Sequence, residues 1–270
     1  DLMSETLSLT GMAEVPLVFF LSQRPGPATG VATYTAQGDL NLARHAGHGE
    51  FPRIVVAPGD PKECEELTTN AFYFAQKFQT PSIILSDKHL GESFYTYEGK
   101  PKLTSSGKWT SLRRYNSYER DIHGSSTENP KLVNKNVMSR RIKQRNINQE
   151  AQKFEQFKVY GNPSAENVIV SWGSTKGAII DAIESEGLDV KFVQILYIDP
   201  FPKAKLWREL IGKNTILVEN NATAQMNALL KEKIGFNVPA KNIILRYDAR
   251  PFLRDKLTKE IKLRMRKKRQ

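Results

Sequence analysis

The period of the apolar positions changes along the chain in a regular order. Val15–Leu21 is a short apolar run of β type. It stops at Gln23-Arg24-Pro25-Gly26-Pro27-Ala28-Thr29-Gly30, a stretch that can continue neither a strand nor a helix. Arg53–Ala57 predicts a buried strand and runs into Pro58-Gly59-Asp60. Asp60 as N-cap, Pro61 at the first helical position and Glu63 three residues past the cap then spell a capping box. Cys64, Leu67, Ala71, Phe74, Ala75 and Phe78 follow with helical spacing and give one apolar face. Ser82–Leu85 is the next strand. Strand, capped helix and strand in succession make a βαβ unit, the building block of parallel sheets.

The rhythm fades between residues 91 and 157, which are polar and basic, with a helix-compatible stretch at Asn134–Phe157. It returns from Val168. Strands are expected at Val168–Trp172, Val190–Ile198, Thr215–Glu219 and Ile243–Tyr247, with helices at Thr175–Glu186, Lys203–Ile211 and Ala222–Ile234. Gly187, Gly212 and Gly235 fall just past these helices, where a C-cap glycine is expected. The fold class is therefore α/β, divided into residues 1–105, a basic linker and loop region at 106–157, and a second α/β domain at 158–270.

Composition bounds the rest. Of 270 residues, 39% are hydrophobic and 26% charged, as in globular protein, and no apolar run is long enough to cross a bilayer. The single cysteine, Cys64, excludes an internal disulfide framework and any cysteine-ligated iron–sulfur or zinc site built from this chain alone, and it points to a reducing, cytoplasmic setting. The formal net charge of +11 is uneven: residues 1–100 carry 7 Lys+Arg against 12 Asp+Glu, leaving 33 against 17 for the remainder. The excess concentrates in Lys102–Arg145 and in the tail Lys259–Arg269. A solvated terminal helix accounts for the tail, and an acidic partner or nucleic acid is the alternative. No zinc-finger spacing or aromatic RNA-binding signature accompanies the charge, which argues against nucleic acid.

Several residues invite chemistry, each beside a plainer reading. Arg24 directly follows a buried strand, where open α/β sheets bind ligands, and a guanidinium there can hold a carboxylate or phosphate. Its plain alternative is pairing with a neighbouring loop. His45 and His48 are separated by Ala46-Gly47, which breaks any helix that would align them on a metal. Trp172-Gly173-Ser174-Thr175-Lys176-Gly177 joins a strand to a helix but lacks P-loop spacing, so tight packing explains it better than a phosphate cradle. Asn221 is the natural N-cap of the helix after it, and Cys64 reads as a small core residue.

Leu2-Met3-Ser4-Glu5-Thr6-Leu7, Gly11-Met12-Ala13-Glu14-Val15-Pro16-Leu17-Val18 and Gln23-Arg24-Pro25-Gly26-Pro27-Ala28-Thr29-Gly30 closely resemble the alpha subunit of 2-oxoacid:ferredoxin oxidoreductases. So do Gln37-Gly38-Asp39-Leu40, Gly47-His48-Gly49-Glu50-Phe51-Pro52 and Ala57-Pro58-Gly59-Asp60. Trp172–Gly177, Asp199-Pro200-Phe201-Pro202, Val218-Glu219-Asn220-Asn221 and Arg250-Pro251-Phe252 resemble that subunit's transketolase C-terminal-like domain. The Pro/Gly turn is more similar to the 2-oxoglutarate or broad-specificity branch than to the dedicated pyruvate branch. The resemblance implies a partial thiamine-diphosphate pyrimidine-type domain followed by a transketolase C-terminal-like domain. The implied reaction is oxidative decarboxylation of a 2-oxoacid, such as 2-oxoglutarate or pyruvate, with coenzyme A to an acyl-CoA, reducing ferredoxin. It further implies a beta subunit that holds most of the thiamine diphosphate and Mg2+ and carries the iron–sulfur cluster, with no nucleic-acid or membrane partner.

By the same resemblance, Arg24 receives the substrate carboxylate, and Asp121 in Tyr118-Glu119-Arg120-Asp121-Ile122-His123-Gly124 matches the acid of a loop near the active site, although that loop's family histidine and second acid are lost. The family's Tyr-Pro-x-Thr-Pro motif and its activating glutamate lie upstream of the Leu-Met-Ser-Glu segment and are not in this sequence. The expectation is therefore a truncated or split alpha subunit, inactive alone; the alternative is a catalytically degenerate interaction module of the same fold. Two further departures are Ala222-Thr223-Ala224-Gln225-Met226, in place of a Gly-Gln-Leu ending, and Ala249, where glycine is common before Arg250.

Overall fold

A computed structural model describes residues 2–107 and 116–266, so the last residues of the basic tail and residues 108–115 of the basic segment at 102–145 lie outside it. In chain order the elements are α1 (Ser4–Ala13), β1 (Leu17–Gln23), α2 (Leu40–His45), β2 (Ile54–Val56), α3 (Pro61–Phe78), β3 (Pro81–Asp87), α4 (Lys88–Gly91) and α5 (Pro130–Ala151). Then come β4 (Phe157–Gly161), β5 (Asn167–Trp172), α6 (Thr175–Ser185), β6 (Val190–Ile195), β7 (Tyr197–Asp199), α7 (Lys203–Leu210), β8 (Asn214–Glu219), α8 (Gln225–Ile234), β9 (Ile243–Leu245) and α9 (Arg254–Arg264).

Two sheets result. The first has the order β1-β3-β2-β7, the second β4-β6-β5-β8-β9. Within each, the strands joined by helical crossovers are parallel, and only the edge strands β7 and β4 run antiparallel to their neighbours. The sheets pack as layers. Ile54, Val56 and Ile84 of the first sheet face Leu67 and Phe74 of α3 and Ile147 of α5. Ile169, Phe192 and Ile216 of the second face α6 and α9 through Ile179, Ile183, Leu257 and Ile261. The inner faces of both sheets share one core with Leu40 of α2, Leu206 of α7 and Leu229 of α8.

The expected strands and helices form with shifted ends, the helix-compatible stretch at Asn134–Phe157 stopping as α5 at Ala151 so that Phe157 opens β4, and with one instructive exception. Val190–Ile198 is not one strand. Ile195 closes β6 in the second sheet, and Tyr197 already pairs with Val56 in the first. The switch occurs at Leu196, where the amides of Leu196 and Tyr197 both donate to the Gln156 carbonyl (3.0 and 3.1 Å) while the Leu196 carbonyl accepts from Ala57 (2.8 Å). Both sheets bury this run, so no polar residue marks the change of sheet. Helices α1 and α2 and strand β4 have no clear signature in the sequence. The half-exposed β4 and the weakly sided α1 lack the periodicity that reveals a buried face.

The capping box at α3 also forms differently. Asp60 Oδ1 accepts from the Glu63 amide at 2.8 Å, but Glu63 turns its carboxylate to the Gly59 amide (2.8 Å) and into the space between the sheets. There it meets Lys176 Nζ of α6 (2.6 Å) and Gln194 Nε2 of β6 (2.6 Å), with Lys158 Nζ and Tyr160 Oη of β4 at 3.2 and 3.3 Å. Lys176 also pairs with Asp60. A fully buried acid thus becomes the polar bolt between the two sheets.

Candidate functional site

The parallel strands of the first sheet end together: Gln23 of β1 is in register with Asp87 of β3. Gln23 is buried, donating through Nε2 to the Ser86 carbonyl (3.1 Å) and accepting the Asp39 amide at Oε1 (3.0 Å). Arg24 is the next residue and is exposed. Its Nε donates to the Thr29 carbonyl (3.1 Å) and its Nη2 to the Ala28 carbonyl (3.3 Å); Nη1 has no hydrogen-bond partner among the described residues. The loop closes when the Val31 amide donates to the Pro25 carbonyl (3.0 Å). Gly30 makes this possible, because at its φ of +52° a Cβ would sit 1.8 Å from the Pro25 oxygen. A guanidinium held by two loop carbonyls, with one nitrogen unused, is a fixed cation at the carboxyl end of a parallel strand.

The same loop leads to Gln37, which faces the carboxyl ends of the second sheet. Gln37 Nε2 donates to the Trp172 carbonyl at the end of β5 (2.6 Å), and its Oε1 accepts the Asn220 amide just past β8 (2.8 Å). Its backbone amide donates to the Asn220 carbonyl (2.6 Å), and its carbonyl accepts Asn221 Nδ2 (3.0 Å). The carboxyl edges of the two sheets therefore meet across one buried side chain. Behind it, Glu219 is fully buried and accepts from Trp172 Nε1 and from the Met226 amide, each at 3.0 Å. Burial pushes its carboxyl up to about 7.

The Trp172–Gly177 turn packs against this junction. A Cβ on Gly173 would lie 2.8 Å from Gln37 Nε2, so the glycine serves the close approach of strand, turn and loop. Asn221 is not the N-cap of α8. Its Oδ1 accepts the Thr223 and Ala224 amides (3.1 and 2.8 Å), making a turn that precedes the helix, and Ala224 occupies the cap position at φ +50°.

Asp121 lies elsewhere. Its Oδ1 accepts the His123 and Ser125 amides (2.8 and 2.9 Å), and these backbone bonds, Ser125 first, hold its carboxyl below the usual range. Neighbouring Arg120 donates to the Met12 carbonyl (3.2 Å) and pairs with Glu14, docking this loop beside the start of β1. Arg24 follows the other end of that strand, roughly 20 Å along it. The structure does not bring the two residues together, and Asp121 organises its own turn.

The His48 amide donates to Ser8 Oγ (3.0 Å), and burial lowers the His45 imidazole. Among the described residues no three His, Cys, Asp or Glu side chains are grouped to hold a metal, and no helix is long and apolar enough to cross a membrane. Burial pushes the Cys64 thiol up to about 12, which suits a packing residue and not a nucleophile. Three features had little local signal in the sequence. Glu219 looks like any strand-terminal acid, Gln37 stands out only as part of a motif, and the side chains that meet the Glu63 carboxylate lie 95 to 131 residues away.

Residues 1–168 match the family described as pyruvate flavodoxin/ferredoxin oxidoreductase, thiamine diphosphate-binding. The 2-oxoacid:ferredoxin oxidoreductase subunit alpha of Saccharolobus solfataricus is 35% identical over 97% of this chain and 47% of its own length. A 2-oxoglutarate synthase subunit KorA from Methanocaldococcus jannaschii is 27% identical over 82% of this chain and 67% of its own length. The solved 2-oxoglutarate:ferredoxin oxidoreductase of Magnetococcus marinus, with 2-oxoglutarate, coenzyme A and succinyl-CoA bound, superimposes with a TM-score of 0.79 at 26% identity, over 97% of this chain and 51% of that one. The chain thus spans about half the length of the first curated relatives it matches.

Proposed function

We propose that this chain, which belongs to the pyruvate flavodoxin/ferredoxin oxidoreductase family through its thiamine diphosphate-binding domain, forms part of the alpha subunit of a 2-oxoacid:ferredoxin oxidoreductase. In this reading the assembled enzyme cleaves the bond between the carboxylate and the carbonyl carbon of a 2-oxoacid. It releases CO2, transfers the acyl group to coenzyme A and passes the electron pair to ferredoxin. A 2-oxoglutarate preference is supported by the KorA relative and by the ligands of the Magnetococcus marinus enzyme.

The observation that carries the reading is the Arg24 loop. Substrate anchoring needs a cation that keeps its place when the anion arrives, and two backbone carbonyls already hold this guanidinium. We assign Arg24 to the 2-oxoacid carboxylate and leave Asp121 a structural part, because its carboxylate already serves its own loop.

Thiamine diphosphate, when bound, supplies the carbanion chemistry of decarboxylation. In keeping with the family resemblance, we place most of the hold on the diphosphate and Mg2+ on a beta partner, together with the iron–sulfur cluster, which the one cysteine of this chain does not suffice to ligate. The domains we propose are residues 1–105, 106–157 and 158–270, and the compartment is the cytoplasm, as the lone cysteine suggests.

The test is co-expression of this chain with the complementary alpha and beta segments of such an enzyme. Assembly should give coenzyme A-dependent, 2-oxoacid-dependent reduction of ferredoxin, with release of CO2 from the carboxylate. Assembly without any 2-oxoacid-dependent reduction would favour an interaction module.

A further inference from the structure

A cleft of 660 Å3 opens where α5, α7 and the last turn of α8 converge. Its position is set by the topology. Asp199, on its wall, pairs with Val55 beside the start of β2, whereas Arg24 follows the carboxyl end of the parallel strand β1. The cleft and the Arg24 loop thus lie toward opposite ends of the first sheet.

Its charge is one-sided. Lys203, Lys205 and Arg208 of α7 and Lys233 of α8 line it, against one carboxylate, Asp199. Lys233 is paired with Glu232 (2.8 Å), and Lys205 Nζ reaches only a backbone carbonyl, that of Gln152 (3.3 Å). The side chains of Lys203 and Arg208 have no hydrogen-bond or ion-pair partner among the described residues. Pro202 precedes α7 and cannot cap it, so the Ala204 and Lys205 amides on the same wall also lack an acceptor. The half-buried Asp199 carboxylate accepts no hydrogen bond from any described group.

We propose that this cleft binds a phosphate-bearing small molecule of the nucleoside diphosphate kind. The Arg208 guanidinium, the unpartnered Lys203 ammonium and the open Ala204 and Lys205 amides present donors to the cleft, which suits the several acceptor oxygens of a phosphate better than a single carboxylate. The concave volume is that of a small-molecule site and not of a flat protein interface. Asp199, which lies within the field of Lys233, and the side-chain amides of Gln144 and Asn148 also line the cleft and offer acceptors and donors for the hydroxyl or amino groups of the remainder. The site stands independently of the oxidoreductase reading, since none of its residues belongs to the Arg24 loop or the Gln37 junction.

Calorimetric titration of the full chain with ADP, inorganic diphosphate and adenosine at low salt tests this. ADP and diphosphate should bind and adenosine should not. The double variant Lys203→Ala/Arg208→Ala should weaken binding by about tenfold or more, while Lys62→Ala on α3 leaves it unchanged. Because both substituted side chains are exposed, the variant should keep the parent's thermal midpoint, and Arg208→Glu alone should reproduce the loss. No binding of either phosphate at millimolar concentration, or binding undiminished in both variants, overturns the proposal. So does a preference for polyglutamate over both phosphates, which would instead mark an acidic protein's docking surface.

Discussion

Lys176 Nζ lies 2.6 Å from Glu63 Oε1, and both side chains are buried between the two sheets. Breaking such a pair leaves a charge in a poor dielectric without its partner, which costs more than the intact pair contributes. Lys176→Met should therefore destabilise the chain by about 3 kcal/mol, softened by the remaining contacts of Glu63 with Lys158 and Gln194. Combining it with Glu63→Gln should recover part of the loss, because the unpaired charge is then gone. Urea unfolding of the two variants measures both numbers.

Two departures from the family pattern share a physical address. Ala224 and Ala249, at positions where the family resemblance led us to expect glycine, have φ of +50° and +66°. An L side chain is strained there, and glycine is not. Ala224→Gly and Ala249→Gly should each stabilise by about 0.5–1 kcal/mol, the relief of strain exceeding the added freedom of the unfolded chain. An exposed helical alanine replaced by glycine, such as Ala204→Gly in α7, should lose about that much instead. Thermal and chemical denaturation of the three variants compares them.

Glu219 makes stability depend on pH in an unusual direction. Its carboxyl titrates near 4.5 when unfolded and at about 7 when folded, so the folded state holds the proton more tightly between those values. Its contribution is full below pH 4.5 and lost as pH rises through 7, by about 3 kcal/mol. Burial raises Asp39 and Asp199 as well, which adds to the same slope. Glu219→Gln keeps an acceptor for Trp172 Nε1 and should flatten most of the slope in denaturation curves taken from pH 5 to 8.

The legibility of the chain follows the range of its interactions. The βαβ unit and the later alternation declare themselves because their apolar periods are local, as in Cys64 to Phe78 of α3. Leu196 shows the opposite case, since a run buried by two different sheets looks like one strand. Arg24 could be singled out from its place after an apolar run and before a Pro/Gly turn. Its plain alternative, pairing with a neighbouring loop, is what the side chain does here, but the particular partners were not legible, because the carbonyls of Ala28 and Thr29 are presented by a fold of the loop that side-chain pattern does not encode. Asp121 could be matched to a motif, yet only the backbone reveals that its carboxylate is already used.

The most direct measurement is the 2-oxoacid concentration dependence of ferredoxin reduction by the assembled enzyme carrying Arg24→Ala and Arg24→Lys. A charge-assisted carboxylate anchor contributes about 1.5–3 kcal/mol, so kcat/KM for 2-oxoglutarate should fall by roughly 10- to 150-fold in Arg24→Ala. The lysine variant should recover only a part of that loss, and KM for coenzyme A should stay unchanged. Equal kcat/KM in the parent and Arg24→Ala, in an assembly that still turns over, would contradict the assignment of Arg24 to the substrate carboxylate.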